Sequence, residues 1–188
     1  MSHKILLASK SPRRREIMNL LRIPYTVVTI DGIDESYPPE LSPDMVSEYI
    51  SNKKADVFLK IIGDDEMIIT ADTVVVCEGK ILGKPKDAKE AMEMLRLLSG
   101  KTHIVTTGVT IATKEKRTSF SSVSYVTFAD LTDDEIRFYV DTFHPFDKAG
   151  AYGIQEWIGA VAVAKIDGSF YNVMGLPVHR LYQALKEF

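Results

Sequence analysis

Ile5-Leu6-Leu7-Ala8-Ser9-Lys10-Ser11-Pro12-Arg13-Arg14-Arg15 is the stretch on which the fold class turns. Its apolar run is too short for a helix and suits a buried strand. Ser11 is a helix N-cap type and Pro12 fits the first helical position. Ile17, Leu20 and Leu21 follow at helical spacing. A strand that passes through a short polar turn into a capped helix is how an α/β domain begins.

Working outward, residues 25–30 predict a second strand, and a polar loop with Gly32, Pro38 and Pro39 follows. Ser42-Pro43 predicts another capped helix, with Val46, Tyr49, Ile50 and Val57 on one face. Residues 67–77 form the most strand-like segment, and Glu78-Gly79 turns it towards Ile81-Leu82. Asp87 with Glu90, and Thr132 with Glu135, have capping-box spacing ahead of two more helices, the second expected to reach about Val140. Strands are expected at residues 103–112 and 121–127. Residues 160–166 and 169–173, joined by Asp167-Gly168, read as a hairpin before a last helix near Pro177. Strands and helices alternate early and strands cluster later, which predicts α/β with a mixed sheet. There is no repeat or obvious linker, so residues 1–188 read as one domain.

Bulk composition narrows the function classes. The chain has 188 residues, 45% apolar and 26% charged, with a net charge of −3. That balance gives no general affinity for nucleic acid or anionic membrane, so any anion site is local. A single cysteine, Cys77, excludes an internal disulfide framework and a thiolate zinc cluster. No apolar stretch approaches a membrane span, and the N-terminus does not read as a signal peptide, so a cytoplasmic location is expected.

Two stretches point to chemistry on their own. A helix N-terminus is partially positive and favours acidic side chains, yet Arg13, Arg14 and Arg15 occupy this one. Local conflicts of that kind gather at functional sites, and a bound phosphate would resolve it. A solvated basic patch is the plain alternative. Asp72 lies inside the apolar run Ile69-Thr70-Ala71-Asp72-Thr73-Val74-Val75-Val76, where a charge is costly unless it is paired. Mg²⁺, a water to activate or a nearby lysine would each serve, and Asp72 is the best catalytic candidate.

Two other stretches are weaker. Pro85 favours an extended Gly83-Lys84-Pro85-Lys86, which would turn both lysines the same way. The stretch Asp147-Lys148-Ala149-Gly150-Ala151-Tyr152-Gly153-Ile154-Gln155 combines glycines, an aromatic and an amide, as a ligand-approaching loop would. The Gln155 amide both donates and accepts, and so could match the O4 and N3–H edge of uracil or thymine. By spacing alone, an ordinary surface loop is the favoured reading there. Gly100-Lys101-Thr102 imitates the end of a P-loop but follows a helix and lacks the first glycine. His3, His103, His144 and His179 show no metal-ligand spacing.

Leu7-Ala8-Ser9-Lys10-Ser11-Pro12-Arg13-Arg14, Ala71-Asp72-Thr73-Val74-Val75, Gly83-Lys84-Pro85, Leu98-Ser99-Gly100-Lys101-Thr102-His103, the Asp147 to Gln155 stretch and Gly175-Leu176-Pro177 together resemble the Maf family, in order and over nearly the whole chain. The resemblance implies a mixed central sheet flanked by helices, with two lobes around a deep cleft, similar to inosine triphosphate pyrophosphatases. It implies cleavage between α and β phosphates with a divalent metal, Mg²⁺ or Mn²⁺, and a possible homodimer. Ala151-Tyr152-Gly153-Ile154-Gln155 resembles the branch acting on dTTP and UTP. By the same resemblance Asp72 is the proton acceptor, and Arg13, Thr73 and Gln155 match specificity positions. Ser9, Arg14, Glu35, Lys54 and Lys84 match positions lining the phosphate and metal site, with Lys53 an adjacent alternative to Lys54. Asp72 and Glu35 are the implied metal ligands. Lys10 replaces a small residue and adds charge. A rival reading is a nucleotide-binding regulator of cell division that needs no catalysis.

Overall fold

The computed structural model describes residues 3–188. Strand β1 (Lys4–Ala8) leads into helix α1 (Pro12–Leu20), then β2 (Thr26–Val28) and α2 (Pro43–Phe58). Strands β3 (Glu66–Cys77) and β4 (Lys80–Leu82) precede α3 (Ala88–Leu98), β5 (Thr102–Ala112) and β6 (Arg117–Phe128). Helix α4 (Asp133–Phe143), a 3₁₀ turn (Ala149–Ala151), α5 (Trp157–Ala162), β7 (Val163–Asp167), α6 (Phe170–Met174) and α7 (Val178–Glu187) complete the described chain.

The seven strands form one mixed sheet in the order β2-β1-β3-β5-β6-β7, with β4 paired to β3. Strand β1 is parallel to both β2 and β3, whereas β3/β4 and β6/β7 are antiparallel. The expected mixed α/β class is therefore the observed one.

The chain divides into two compact units, each assembled from separate segments. Among the described residues the first comprises 3–72, 107–122 and 175–188, and the second 73–106 and 123–174. Strands β3, β5 and β6 each contribute residues to both, and in β3 the division falls between Asp72 and Thr73.

In the first unit Leu6, Phe58, Ile62, Ile68 and Ala112 form a buried cluster. Helix α2 lies so close to β5 that a Cβ at Gly108 would stand 2.3 Å from the backbone nitrogen of Glu48. The buried Ser51 hydroxyl meets that of Thr110 at 2.9 Å, and the Thr70 hydroxyl donates to the Ser51 carbonyl at 2.7 Å. Those contacts fix the rotation of α2 over the sheet. The second unit has a larger core, in which α3 and α4 pack Leu95, Leu98, Ile136 and Tyr139 with Val75, Val126 and Phe128 of the sheet.

Two expectations are corrected. Residues 160–173 are not a hairpin, because 160–162 end α5 and 170–174 form α6. Short apolar runs carry little periodicity, and a tertiary anchor decides this one. Ser169 Oγ accepts from Asn172 N–H at 3.3 Å, and the buried Asn172 amide donates to the Val105 carbonyl and to Ser124 Oγ. The second correction concerns Ser42, which precedes α2 but makes no side-chain capping bond, whereas Ser11 Oγ accepts from Arg14 N–H at 3.4 Å.

Candidate active site

The first unit gathers most of the expected residues. Thr70 and Asp72 are two apart on β3 and so face the same way. Ser51 and Lys54 are three apart on α2 and share a helix face. With Thr70 bonded to Ser51, Lys54 is brought opposite Asp72, and Lys54 Nζ reaches Asp72 Oδ1 at 2.7 Å. The same ammonium lies 2.7 Å from Glu35 Oε1. Both members of the inner pair are well shielded, with side-chain exposures of 13% and 14%. The cost of burying Asp72 is thus offset by a lysine, one of the partners that its apolar flanks demand.

Adjacent lysines hold the loop that carries Glu35. Lys53 Nζ donates to Asp34 Oδ2 and to the Ser36 carbonyl, each at 2.8 Å. Its hydrogen bond, followed by those from the Ser36 N–H and hydroxyl, keeps Asp34 well below the usual carboxylate range. Lys53 therefore anchors residues 34 and 36, and Lys54 takes the glutamate between them.

The turn before α1 supplies the next group. Ser9 is buried and its Oγ accepts from Ser11 N–H at 3.1 Å. Arg14 is half-buried, and its Nε donates to the Gly175 carbonyl at 2.7 Å. Burial, above all, draws its guanidinium below the ordinary value, against the pull of Asp72 and Glu35, while Arg13 repels it. Arg14 thus feels both carboxylates and its arginine neighbour, a concentration of charge that a phosphate could join. Arg15 is exposed and contacts the Lys10 carbonyl, apart from this group.

Asp72 Oδ1 and Glu35 Oε1 lie no further apart than twice their common 2.7 Å contact with Lys54. Two hard oxygen donors suit Mg²⁺, which commonly takes one or two carboxylates and completes its shell with water and phosphate. Among the described residues no group of three or more His, Cys, Asp or Glu could hold a metal. A cation here would take its remaining ligands from substrate and solvent.

Thr73, Lys84 and Gln155 belong to the second unit. Thr73 is half-buried on β3, whereas Lys84 and Lys86 are exposed on either side of buried Pro85. The stretch from Asp147 to Gln155 is no ordinary surface loop, since residues 150–154 are buried and Gln155 is exposed at its end. Gly150 adopts φ +68°, the left-handed conformation that glycine tolerates, and lies against Val75.

Nothing in the sequence marks the polar groups beneath that stretch as buried and paired. Lys148 is buried and ion-paired with Asp147 at 2.7 Å and Glu156 at 3.1 Å. His103 Nε2 meets the Tyr152 hydroxyl at 2.7 Å, with both rings set edge-on to each other and to Phe128. Burial pulls His103 down to about 4 and pushes the Tyr152 phenol up. Only the glycine-rich composition hinted at a built loop.

Comparison with known proteins adds independent information. The family model "Maf-like protein" matches residues 4–188. A dTTP/UTP pyrophosphatase of Bacteroides thetaiotaomicron is 52% identical over 185 residues, covering 98% of this chain and 96% of that protein. One from Porphyromonas gingivalis is 50% identical over 188 residues, covering 99% and 94%. Among solved structures, the Staphylococcus aureus Ham1 protein aligns with a TM-score of 0.57 at 16% identity, covering 98% of both chains. A HAM1 protein from Coxiella burnetii gives a TM-score of 0.50 at 14% identity, covering 99% and 100%. These two likenesses concern the fold. No helix among the described residues is long and apolar enough to cross a membrane.

Proposed function

The chain belongs to the Maf family, and from that membership we propose that it hydrolyses dTTP and UTP to the monophosphate and pyrophosphate. The relatives at about half identity over nearly their full length bear that name. The observation that carries the chemistry is the Glu35–Lys54–Asp72 cluster, in which a shielded carboxylate and a cation stand 2.7 Å apart.

In this reading a water adds to the α-phosphorus, the bond from that phosphorus to the α–β bridging oxygen breaks, and pyrophosphate leaves. Asp72 accepts the water's proton. Lys54, Arg13 and Arg14 bind phosphate oxygens and stabilise the charge that grows on the leaving group, and the family resemblance gives Lys84 a phosphate-binding role. The Ser9 hydroxyl adds a polar contact to the phosphates. Gln155 reads the base edge, and by the family resemblance Thr73 and Arg13 are also specificity positions. A divalent cation, Mg²⁺ or Mn²⁺, held by Asp72 and Glu35 would supply further charge neutralisation. The composition fits a cytoplasmic protein, and the family resemblance allows a homodimer.

Pyrophosphate release from a panel of nucleoside triphosphates, with Mg²⁺, Mn²⁺ or EDTA, tests the proposal. Metal-dependent release favouring dTTP and UTP is expected. Release favouring purines would sink the pyrimidine reading, and no release by folded protein would leave a nucleotide-binding regulator.

A further inference from the structure

The groups beneath the 149–155 stretch are connected, and the reaction above leaves them unused. Lys148 and Glu156 flank the stretch and pair at 3.1 Å, so their contact closes it at its base. Lysines are rarely this buried unless paired, and only 8% of this side chain is exposed. The second Glu156 oxygen accepts from the Tyr139 hydroxyl. That hydroxyl in turn accepts from Gly153 N–H at 3.0 Å, which fastens the middle of the stretch. Tyr139 is fully buried within α4, so the fastening point is rigid.

Gly153 joins this clasp to Gln155. A Cβ there would stand 2.8 Å from Glu156 Cδ and 3.0 Å from both Glu156 Oε1 and Gln155 Nε2. Glu156 Oε1 and Gln155 Nε2 therefore border the same space, no further apart than twice that 3.0 Å and with no hydrogen bond between them, and the space stays open because residue 153 has no side chain. That proximity bears on base reading. A glutamine amide that is free to flip presents its donor and acceptor in either order, and so serves cytosine as well as uracil. A carboxylate only accepts, so its charge at that range attracts the NH₂ half of the amide and opposes the flip through space.

We propose that Lys148, Glu156 and Tyr139 are positioning residues that fix the orientation of the Gln155 amide and thereby set discrimination between uracil or thymine and cytosine nucleotides. The proposal rests on the base-reading role given to Gln155. Lys148 keeps the Glu156 carboxylate in place, Tyr139 ties it to the loop backbone, and Glu156 orients the amide.

The test compares kcat and KM for UTP and CTP in the native protein and in Glu156→Gln, Tyr139→Phe, Lys148→Met, Lys148→Arg and Gln155→Ala, each checked for folding by thermal melting. Glu156→Gln replaces an acceptor with a group that can do either, and should lower the UTP-over-CTP ratio of kcat/KM by about tenfold. Most of that change should lie in KM, because the clasp does not touch the phosphates. Tyr139→Phe removes one oxygen and should act in the same direction with little risk to the fold, while Lys148→Arg should keep most of the native ratio that Lys148→Met loses. An unchanged ratio in folded Glu156→Gln and Tyr139→Phe, with a lost ratio in Gln155→Ala, would overturn the clasp alone. An unchanged ratio in Gln155→Ala would overturn the base-reading role, and the clasp with it.

Discussion

Thr70 donates its hydroxyl to the carbonyl of Ser51 at 2.7 Å, joining the strand that carries Asp72 to the helix that carries Lys54. The bond lies next to the chemistry without containing any of it. Thr70→Val keeps the shape and removes the donor, which should cost about 1 kcal/mol of stability. Turnover should fall further than that loss explains, because one of the contacts that hold Lys54 opposite Asp72 is then gone. Urea denaturation and kcat measured on the same preparation check both.

Asp72→Asn keeps the shape of the side chain and removes the proposed proton acceptor. Turnover should drop by about a thousandfold, within the range typical of general bases. Lys54 retains its contact with Glu35, so the melting temperature should move by only a few degrees. Near-native turnover would take Asp72 out of the mechanism.

Gly108 leaves α2 no room to accept a side chain. The Cβ of Gly108→Ala would stand 2.4 Å from the Cα of Glu48, and backbone on both sides would have to shift. A loss of about 3 kcal/mol or more is expected. Native-like stability in a melting experiment would show that α2 moves easily.

His103 links stability to acidity. Folded, its pKa lies at about 4 because burial disfavours the charged ring, whereas an unfolded histidine titrates near the ordinary 6.5. Between those values the unfolded chain binds the extra proton, so stability falls as the pH drops below about 6.5 and the contribution levels off near 4. The loss from this group between pH 7 and pH 5 should be about 2 kcal/mol. His103→Gln should show a flatter profile over that window in urea titrations, even though it starts less stable.

Much of the fold was legible because its elements carry local signals. Ser11-Pro12, the β-branched run before Cys77 and the Thr132/Glu135 box all lie where their residue types predict. Asp72 was legible for a different reason: a charge in an apolar strand demands a partner. The identity of that partner was not legible locally, since Lys54 is 18 residues away and is brought to Asp72 by the packing of α2 on the sheet, the Thr70–Ser51 bond included. Lys54 and Glu35 entered through family resemblance alone. Lys148 and Glu156 were missed because nothing in the sequence marks a lysine as buried. Helix α6 was misread because its anchor, Asn172, acts through partners at 105 and 124.

The ammonium shared by Glu35 and Asp72 gives the folded chain a resident counter-ion. Repulsion between these carboxylates is already quenched from within, by a group that no chelator can strip. The architecture therefore does not depend on the ionic supply of its surroundings. Melting curves in EDTA and in millimolar Mg²⁺ should nearly superimpose when nucleotide is absent. The protein can wait, assembled, for substrate to arrive.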